Sequence, residues 1–387
     1  MLFVGLTAYA AAQDQGLTAL QTTMRSLART RGNYTIPYAG LAIAKRQLRD
    51  WVEANLASLP QGGDEKQFAA RLNSNLRTAH LTCIHRHNLS DKGSEFCPDD
   101  ESSQGYLDEI SAEHKPDFLA IIAGVGLPGC QSDESIYAYQ WIGSRWQRVW
   151  QDEQTGTGKT YEPQWIRGVE LSDPDKDGSL LALVLGSNSG CASVFRPIYY
   201  RVWRFGGATP RPKLMLKRSE LADIGGPLNG RVNPSDVLIE FTSINEKVNV
   251  AFRHITIRHY SVQGDSVRQL DPVALTPLSF LNEWFDADWS QSAAWSESAS
   301  LERWHRDLEY IWVEDPKRCQ TDPALWQAEV TQFSNRRPGP EESLYFLIRW
   351  NPPYRFTVAE ISGKGRPDCT IEDPRVEETQ GLFGVAK

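Results

Sequence analysis

Three carboxylates at alternate positions, Asp173, Asp175 and Asp177, stand in the acidic turn Asp173–Gly178. Acidic side chains at this spacing, with a Gly where the chain turns sharply, can surround a calcium ion with oxygen ligands. An EF-hand would need a bidentate Glu at the twelfth position, where this sequence has Val184. The acidic turn is therefore either a calcium loop of another type or a solvated β-turn, and calcium is the one cofactor that the sequence suggests.

A second group of carboxylates lies among tryptophans. Glu283, Asp286 and Asp288 flank Trp284. Paired carboxylates at a set separation are what glycoside hydrolysis needs, and Trp rings serve as sugar platforms. The alternative is structural, with helices anchored to a sheet by their aromatic side chains. Both interpretations stay open, because closeness in sequence does not fix the separation of the carboxyl groups.

The cysteines form an even set of six, which in an exported protein indicates a disulfide framework. Pairing between neighbours is the preferred arrangement: Cys83 with Cys97, Cys130 with Cys191, and Cys319 with Cys369. Six reduced thiols are the alternative. A zinc site at Cys83, Cys97 and the histidines between them has no ligand spacing that matches a closed set.

Histidines offer no further site. His254 and His259 are five residues apart on a predicted strand, so their side chains point to opposite faces. We expect both to be ordinary sheet positions. No nucleophile motif or phosphate-binding glycine loop was identified.

The acidic turn is positioned by predicted strands on either side. Trp165–Ser172 alternates between apolar and polar residues, as a half-buried strand does. Leu180–Gly186 is continuously apolar, which is typical of a strand covered on both faces. Ile198–Trp203 follows and is rich in aromatic and β-branched residues.

This pattern returns 62 residues upstream, where Phe118–Gly124 matches Leu180–Gly186 and Ile136–Trp141 matches Ile198–Trp203. A third, weaker copy spans residues 237–270. A period of about 60 residues with three or four strands predicts propeller blades or a stacked β-array.

The order of strand, acidic turn, apolar strand and aromatic strand resembles the FG-GAP type of β-propeller repeat. The resemblance rests on Asp173, Asp175, Asp177, Gly178 and the apolar strand that follows them. It implies a propeller blade with a calcium loop. The sequence departs from that pattern at Leu181, where such loops usually have a further acidic ligand.

The predicted fold is mainly β, with a helical N-terminal segment, propeller-like repeats of about 60 residues, and helices and a hairpin at the C-terminal end. The expected organisation begins with a candidate signal remnant at residues 1–12, a helical region at 13–87 and a linker at 88–116. It continues with a β-repeat region at 117–275, a helical Trp-rich segment at 276–315 and a C-terminal hairpin region at 316–387.

Composition excludes some function classes. The net charge of -8, with both signs spread along the chain, argues against nucleic-acid binding, and no apolar run is long enough for a transmembrane segment. The apolar N-terminus and the cysteines favour a periplasmic or extracellular location. Because no catalytic constellation emerges, we predict an exported, non-catalytic binding or scaffold protein with an unknown protein or glycan partner. The alternatives are a secreted hydrolase, with carbohydrate as its candidate substrate, acting through the carboxylates near Trp284, and an envelope structural protein held by disulfides.

Overall fold

The structure is a computed structural model, and the architecture below concerns its described residues. These are residues 3–28, 37–82, 106–127, 131–158, 161–188, 195–206, 211–223, 225–245, 252–270, 274–308, 311–332, 342–352 and 355–372. The chain is mostly β with antiparallel sheets and a few helices. It divides into two compact units: unit 1 comprises residues 1–193 and 198–218, and unit 2 comprises residues 194–197 and 219–387.

Unit 1 begins with three helices and continues with strands. The helices are α1 Phe3–Ala28, α2 Tyr38–Leu56 and α3 Glu65–Thr78, and the strands are β1 Ser111–Lys115, β2 Phe118–Leu127, β3 Gln131–Ile142, β4 Arg145–Asp152, β5 Gln164–Leu171, β6 Leu180–Asn188 and β7 Phe195–Phe205. The first three residues of β7, 195–197, belong to unit 2, and β8, Lys213–Asp223, crosses the unit boundary after Arg218.

The helices form where the sequence predicts amphipathic segments. Leu17, Leu20, Met24 and Leu27 lie at near-helical spacing and predict a helix, and residues 3–12 of the candidate signal remnant lie in the same helix, α1. On α2 the buried side chains include Leu41, Leu48 and Trp51, which share one face at helical spacing. The N-cap of α3 is Asp64, whose carboxylate accepts a hydrogen bond from Gln67 N at 2.9 Å.

β2 lies at the centre of unit 1 and is buried along its whole length. Leu119 and Ile121 pack with the three helices, whereas Phe118 and Ala120 pack with residues of β5 and β6. Side chains on a strand alternate between faces, so a strand with cover on both sides needs apolar residues at every position. This arrangement explains the continuous apolar run that predicts β2.

The strands of unit 1 run as antiparallel meanders, β1-β2-β3-β4 and β5-β6-β7. The two matched hairpins differ in register. Ile136 pairs with Ile122, whereas Ile198, 62 residues further on, pairs with Ser187 and not with Val184. Propeller blades consist of such antiparallel meanders. The repeat of about 60 residues and the closure of the blades into a ring both stay predictions.

Unit 2 contains the remaining elements. They are β9 Leu228–Asn233, β10 Asp236–Asn245, β11 Phe252–Gln263, β12 Ser266–Gln269, α4 Pro277–Asp286, α5 Trp289–Ser292, α6 Glu302–Asp307, β13 Ile311–Val313, β14 Lys317–Cys319, β15 Leu325–Gln332, β16 Glu342–Asn351, β17 Arg355–Ser362 and β18 Cys369–Ile371. β15, β16 and β17 form an antiparallel meander, which contains the predicted C-terminal hairpin.

Thr276 followed by Pro277 predicts a helix start, and α4 begins there, with Thr276 as the N-cap and Pro277 in the first turn. The spacing of Leu301, Trp304, Leu308 and Ile311 predicts a second helix over Ser298–Trp312, but the helical part is shorter in the structure. It is a turn of 3₁₀-helix followed by α6, which ends at Asp307, and β13 follows. In β13 the side chains of Ile311 and Val313 are buried while Trp312 is exposed, so pairing with β15 overrides the helical spacing there.

A disulfide in unit 2 bears on the predicted location. Cys319 and Cys369 form a disulfide between β14 and β18, and both residues are buried. Among the helices that the structure describes, none has the length and apolar character needed to cross a membrane.

Candidate functional site

Trp284, in the middle of the Trp-rich segment, is a core residue. Its side chain is fully buried, and its indole Nε1 donates a hydrogen bond to Ser296 Oγ at 2.9 Å. Its ring packs edge-on against Phe285 and Phe346, with ring centroids 5.0 and 5.8 Å away. Trp284 therefore anchors α4 to the sheet of unit 2 and offers no exposed face to a ligand.

The next tryptophan along the chain, Trp289, borders an open concavity of about 510 Å³. This volume lies within the range of small-molecule sites, about 300–1,000 Å³. We call the concavity the Trp289 cleft, and its lining consists of Ala287, Asp288, Trp289, Ser290, His305, Arg306 and Leu308.

The aromatic side of the Trp289 cleft is held by α4. His305 Nε2 lies 2.8 Å from the carbonyl oxygen of Trp284, to which it must donate because a carbonyl only accepts. The His305 ring meets the Trp284 ring edge-on, with centroids 4.7 Å apart. The ring of Trp289 lies 5.5 Å from that of His305, tilted by 55°. The imidazole is thus oriented by contacts on two sides.

The charged side of the cleft carries one carboxylate and one guanidinium. Asp288 is exposed and stands at the N-cap of α5, but its side chain makes no capping hydrogen bond. Within the described part of the chain, that carboxylate has no hydrogen-bond or ion-pair partner. Arg306 is 67% exposed and pairs with Glu302 at 2.5 Å, which occupies one of its nitrogens. Acceptor oxygens and donor nitrogens therefore both face the cleft.

Glu283 belongs to a buried network and not to the cleft. Its carboxylate pairs with Arg258 and accepts a hydrogen bond from Thr256, and His254 Nε2 lies 3.1 Å from Oε1. Burial alone would raise the pKa of Glu283, but the Arg258 charge and these hydrogen bonds outweigh it and hold the pKa well below its usual range. Glu283 therefore stays ionised near neutral pH and has no proton to give as a general acid.

The same network contains a serine and a histidine that resemble a catalytic pair in composition only. Ser243 Oγ lies 2.9 Å from His254 Nε2 and 3.4 Å from Nδ1, and Glu283 Oε1 lies 3.1 Å from Nε2. A serine–histidine–carboxylate relay needs the serine and the carboxylate on opposite ring nitrogens. Here the shorter contact of Ser243 is to Nε2, the nitrogen that Glu283 also contacts, so the arrangement differs from such a relay.

The three carboxylates suggested by the sequence thus have different surroundings. Glu283 is buried and ion-paired, whereas Asp286 and Asp288 are exposed. His254 and His259 point to opposite faces of β11, where His259 pairs with Asp236. Sequence reasoning missed His305 and Arg306 as cleft residues, although both lie on α6, between the buried Leu301 and Leu308.

The acidic turn lies in unit 1 between β5 and β6, and its carboxylates serve the turn itself or a neighbouring lysine. Asp173 pairs with Lys115 Nζ at 2.6 Å, Asp175 accepts from Lys176 N at 2.6 Å, and Asp177 accepts from Ser179 N at 2.9 Å. Across the described ranges, no three His, Cys, Asp or Glu side chains form a group suited to a metal ion. Calcium binding by the acidic turn stays a prediction.

Of the cysteines, Cys319 and Cys369 are joined. Cys83, Cys97, Cys130 and Cys191 lie outside the described residues, together with the two pairings and the zinc alternative considered for them.

Unit 1 contains a buried cluster of charged residues that the sequence did not reveal. Lys45 of α2 pairs with Asp133 of β3, with side-chain exposures of 3% and 0%, and Tyr161 also donates to Asp133. Burial raises the pKa of Asp133, although the charge of Lys45 and the hydrogen bonds counteract it. Lys45 also donates to the carbonyl oxygen of Gln154 at 3.1 Å.

A second buried carboxylate, Glu134, follows directly and accepts a hydrogen bond from the backbone N–H of Ile166. Burial, and then the nearby Asp108 carboxylate, raise the pKa of Glu134 well above its usual value. Gly124 makes room for the two acids, because a Cβ at that position would collide with both. The signal that was overlooked is the Asp133–Glu134 pair at the start of a strand that is otherwise buried.

Comparisons with known proteins yield little. No protein-family model matches the chain, and no curated protein matches it. A solved xylan β-1,4-xylosidase from Bacillus halodurans C-125 aligns with 69% of this chain and 48% of its own, at 10% identity and a TM-score of 0.21. A GH43 β-1,3-galactosidase aligns with 64% of this chain and 57% of its own, at 8% identity and a TM-score of 0.17. The chain thus spans about half the length of these structures, and likeness at this level defines neither fold nor activity.

Proposed function

We propose that the chain is an exported, non-catalytic binding protein that holds its ligand in the Trp289 cleft. The observation that carries this proposal is the lining of the cleft, in which the half-buried ring of Trp289 stands beside an unpartnered carboxylate, Asp288. A concave site with an aromatic wall and a few polar groups is the usual form of a small-molecule binding site. The disulfide between Cys319 and Cys369 supports an oxidising compartment.

Binding is favoured over hydrolysis by the state of Glu283. A glycosidase needs one carboxyl group that is protonated and a second that is ionised, placed on either side of the bond that breaks. Glu283 is buried and kept ionised by Arg258, so the hydrolase alternative rests on the exposed pair Asp286 and Asp288. The third alternative, a structural envelope protein, predicts that no ligand binds in the Trp289 cleft.

The experiment that tests this proposal is a thermal-shift screen of the whole chain. The panel contains neutral saccharides, amino acids and sugar acids, and each compound that raises the melting temperature is tested again on Trp289→Ala and on Trp312→Ala. Trp312 is 45% exposed and lies outside the cleft, so it is the matched control. We expect at least one compound whose effect is lost in Trp289→Ala and kept in Trp312→Ala.

The same compounds are incubated with the protein and analysed by chromatography for cleavage. Recovery of the intact compound supports a binding protein. Release of a hydrolysis product that Asp286→Asn or Asp288→Asn abolishes would establish the hydrolase instead. A panel in which no compound acts through Trp289 would favour the structural role.

A further inference from the structure

We infer that the Trp289 cleft recognises a neutral saccharide, an inference that rests on the binding function proposed above. The starting point is the combination of groups around the cleft: two aromatic rings, a carboxylate and a guanidinium. A sugar ring has an apolar face of C–H groups and a rim of hydroxyl groups that donate and accept hydrogen bonds. It therefore matches an aromatic wall that is bordered by both acceptors and donors.

Charge is the second observation. The carboxylate of Asp288 would repel an anion, and the guanidinium of Arg306 would repel a cation. Arg306 is already paired with Glu302, so it is a poor partner for an additional carboxylate or phosphate. A ligand without charged groups meets neither repulsion. Its hydroxyl groups can form hydrogen bonds with both Asp288 and Arg306, and no charged group of the ligand has to be removed from water.

The unpartnered state of Asp288 gives the third observation. An N-cap aspartate ordinarily accepts a hydrogen bond from the first turn of its helix, but here Gln291 N and Ser292 N bond to the backbone oxygen of Asp288, at 2.8 and 3.0 Å. The carboxylate keeps both oxygens available. Two oxygens in one plane can accept from two adjacent sugar hydroxyls, and such charge-assisted hydrogen bonds are the stronger ones.

The wall of the cleft is formed before any ligand arrives. His305 is fixed by its hydrogen bond to the Trp284 carbonyl, and Trp284 is fixed in turn by Ser296. Trp289 packs against the same aromatic cluster. A ligand that stacks on Trp289 therefore loses little of its binding energy to ordering of the protein. In this arrangement Trp289 stacks on the sugar ring, Asp288 accepts from its hydroxyls, and Arg306 donates to its oxygens.

The test is isothermal titration calorimetry of the full chain with three sets of probes. The first set contains methyl glycosides of glucose, galactose, mannose and xylose and their disaccharides. The second contains zwitterionic amino acids, and the third contains uronic acids. Each probe is titrated into the wild type, Trp289→Ala, Asp288→Asn and the control Asp315→Asn, which changes an exposed aspartate of the same unit outside the cleft.

We expect a neutral saccharide to bind the wild type and Asp315→Asn equally. Binding is expected to weaken by roughly tenfold or more in Trp289→Ala, which loses the stacking surface. In Asp288→Asn it should weaken by about tenfold to a hundredfold, because a hydrogen bond to a charged acceptor is lost. Asp288 is exposed and unpartnered, so this variant is expected to fold even if Trp289→Ala does not.

The outcomes separate the two claims. Binding of an amino acid or a uronic acid through Trp289, with no response to neutral saccharides, overturns the saccharide inference and leaves the binding function in place. Saccharide binding that Asp288→Asn leaves unchanged also overturns the inference. Absence of binding from all three sets contradicts both the inference and the proposed function.

Discussion

Removal of Lys45 should expose how strongly unit 1 depends on its buried ion pair. In Lys45→Met the side chain is one heavy atom shorter and stays apolar, but it no longer pairs with Asp133, which is fully buried. Asp133 would keep the hydrogen bond from Tyr161 but lose the charge that compensates its own. The carbonyl oxygen of Gln154 would lose a donor as well.

The expected loss is about 3–5 kcal/mol in the free energy of unfolding, the range for breaking one side of a buried ion pair. Because Tyr161 still donates to Asp133, we expect a value near the lower end of that range. The double variant Lys45→Met with Asp133→Asn should recover about half of the loss, since no buried charge is left without a partner. Arg77→Met is the control, because its pair with Glu109 is exposed, and it should cost no more than about 1 kcal/mol.

The loss should also depend on pH. Burial already raises the folded-state pKa of Asp133, and removal of the Lys45 charge would raise it further. When the folded-state pKa is above the unfolded value, the folded state binds the proton more tightly, and stability falls as pH rises between the two values. The defect of Lys45→Met should therefore be smallest in acid and grow towards neutral pH.

Hydrogen exchange in urea, followed on peptides from β3, reports unit 1 alone, which a global melting curve of a two-unit chain does not. The reasoning is refuted if Lys45→Met is no more destabilising than Arg77→Met. It is also refuted if the double variant is less stable than the single one, because the two losses would then simply add.

Four more predictions concern groups in both units. Glu134→Gln should be more stable than the wild type at neutral pH and lose that advantage in acid, because the raised folded-state pKa of Glu134 makes wild-type stability fall as pH rises above the usual glutamate value. Melting of both proteins across pH tests this, and a stability difference that stays constant with pH would mean that Glu134 is ionised at no cost. Glu283→Gln should lower the free energy of unfolding by about 3–5 kcal/mol at neutral pH, because it leaves Arg258 with one carboxylate. The difference from the wild type should shrink as pH falls, because a lowered folded-state pKa gives stability that is lost on protonation, and a difference that stays constant across pH would contradict this. Reduction of Cys319–Cys369 should lower the stability of unit 2 by about 4 kcal/mol, the value for a 50-residue separation. Hydrogen exchange on β15 with and without reductant measures this loss, and an unchanged exchange rate would contradict it. For the acidic turn, thermal melting with calcium and with EDTA tests the calcium prediction. The prediction requires a calcium-dependent rise in melting temperature that Asp175→Ala removes, and coincident curves would mean a turn without a metal.

The fold was accessible to sequence reasoning where one local pattern dominates. The runs Phe118–Gly124 and Leu180–Gly186 predicted buried strands because both faces of β2 and β6 need apolar residues. The start of α4 at Thr276–Pro277 was readable because a cap and a proline have local causes. For Ile311 and Trp312 the apolar spacing predicts a helix, which is wrong. The residues form β13 instead, because they pair with the strand β15, and a short stretch of sequence does not show that partner.

The candidate site was only partly accessible. The sequence indicated that carboxylates and tryptophans lie together, but it could not distinguish Trp284, which is buried, from Trp289, which borders the cleft. Trp284 lies on α4, which packs on the sheet, whereas Trp289 begins the short helix α5 after α4 has ended. Glu283 seemed equivalent to Asp288 in sequence, yet Arg258, 25 residues away on β11, determines its charge state. Such partners come from the tertiary fold, and no local spacing encodes them.

The most direct test of the Trp289 cleft is the fluorine NMR spectrum of the protein labelled with 5-fluorotryptophan, titrated with the methyl glycosides. The resonance of Trp289 is assigned from its loss in Trp289→Phe, and that of Trp312 from Trp312→Phe. We predict that one glycoside shifts the Trp289 resonance along a saturable curve, while the Trp312 resonance stays in place and the glycoside remains uncleaved. A Trp289 resonance that stays in place with every probe in the neutral, zwitterionic and acidic sets would contradict the assignment of this cleft as the binding site.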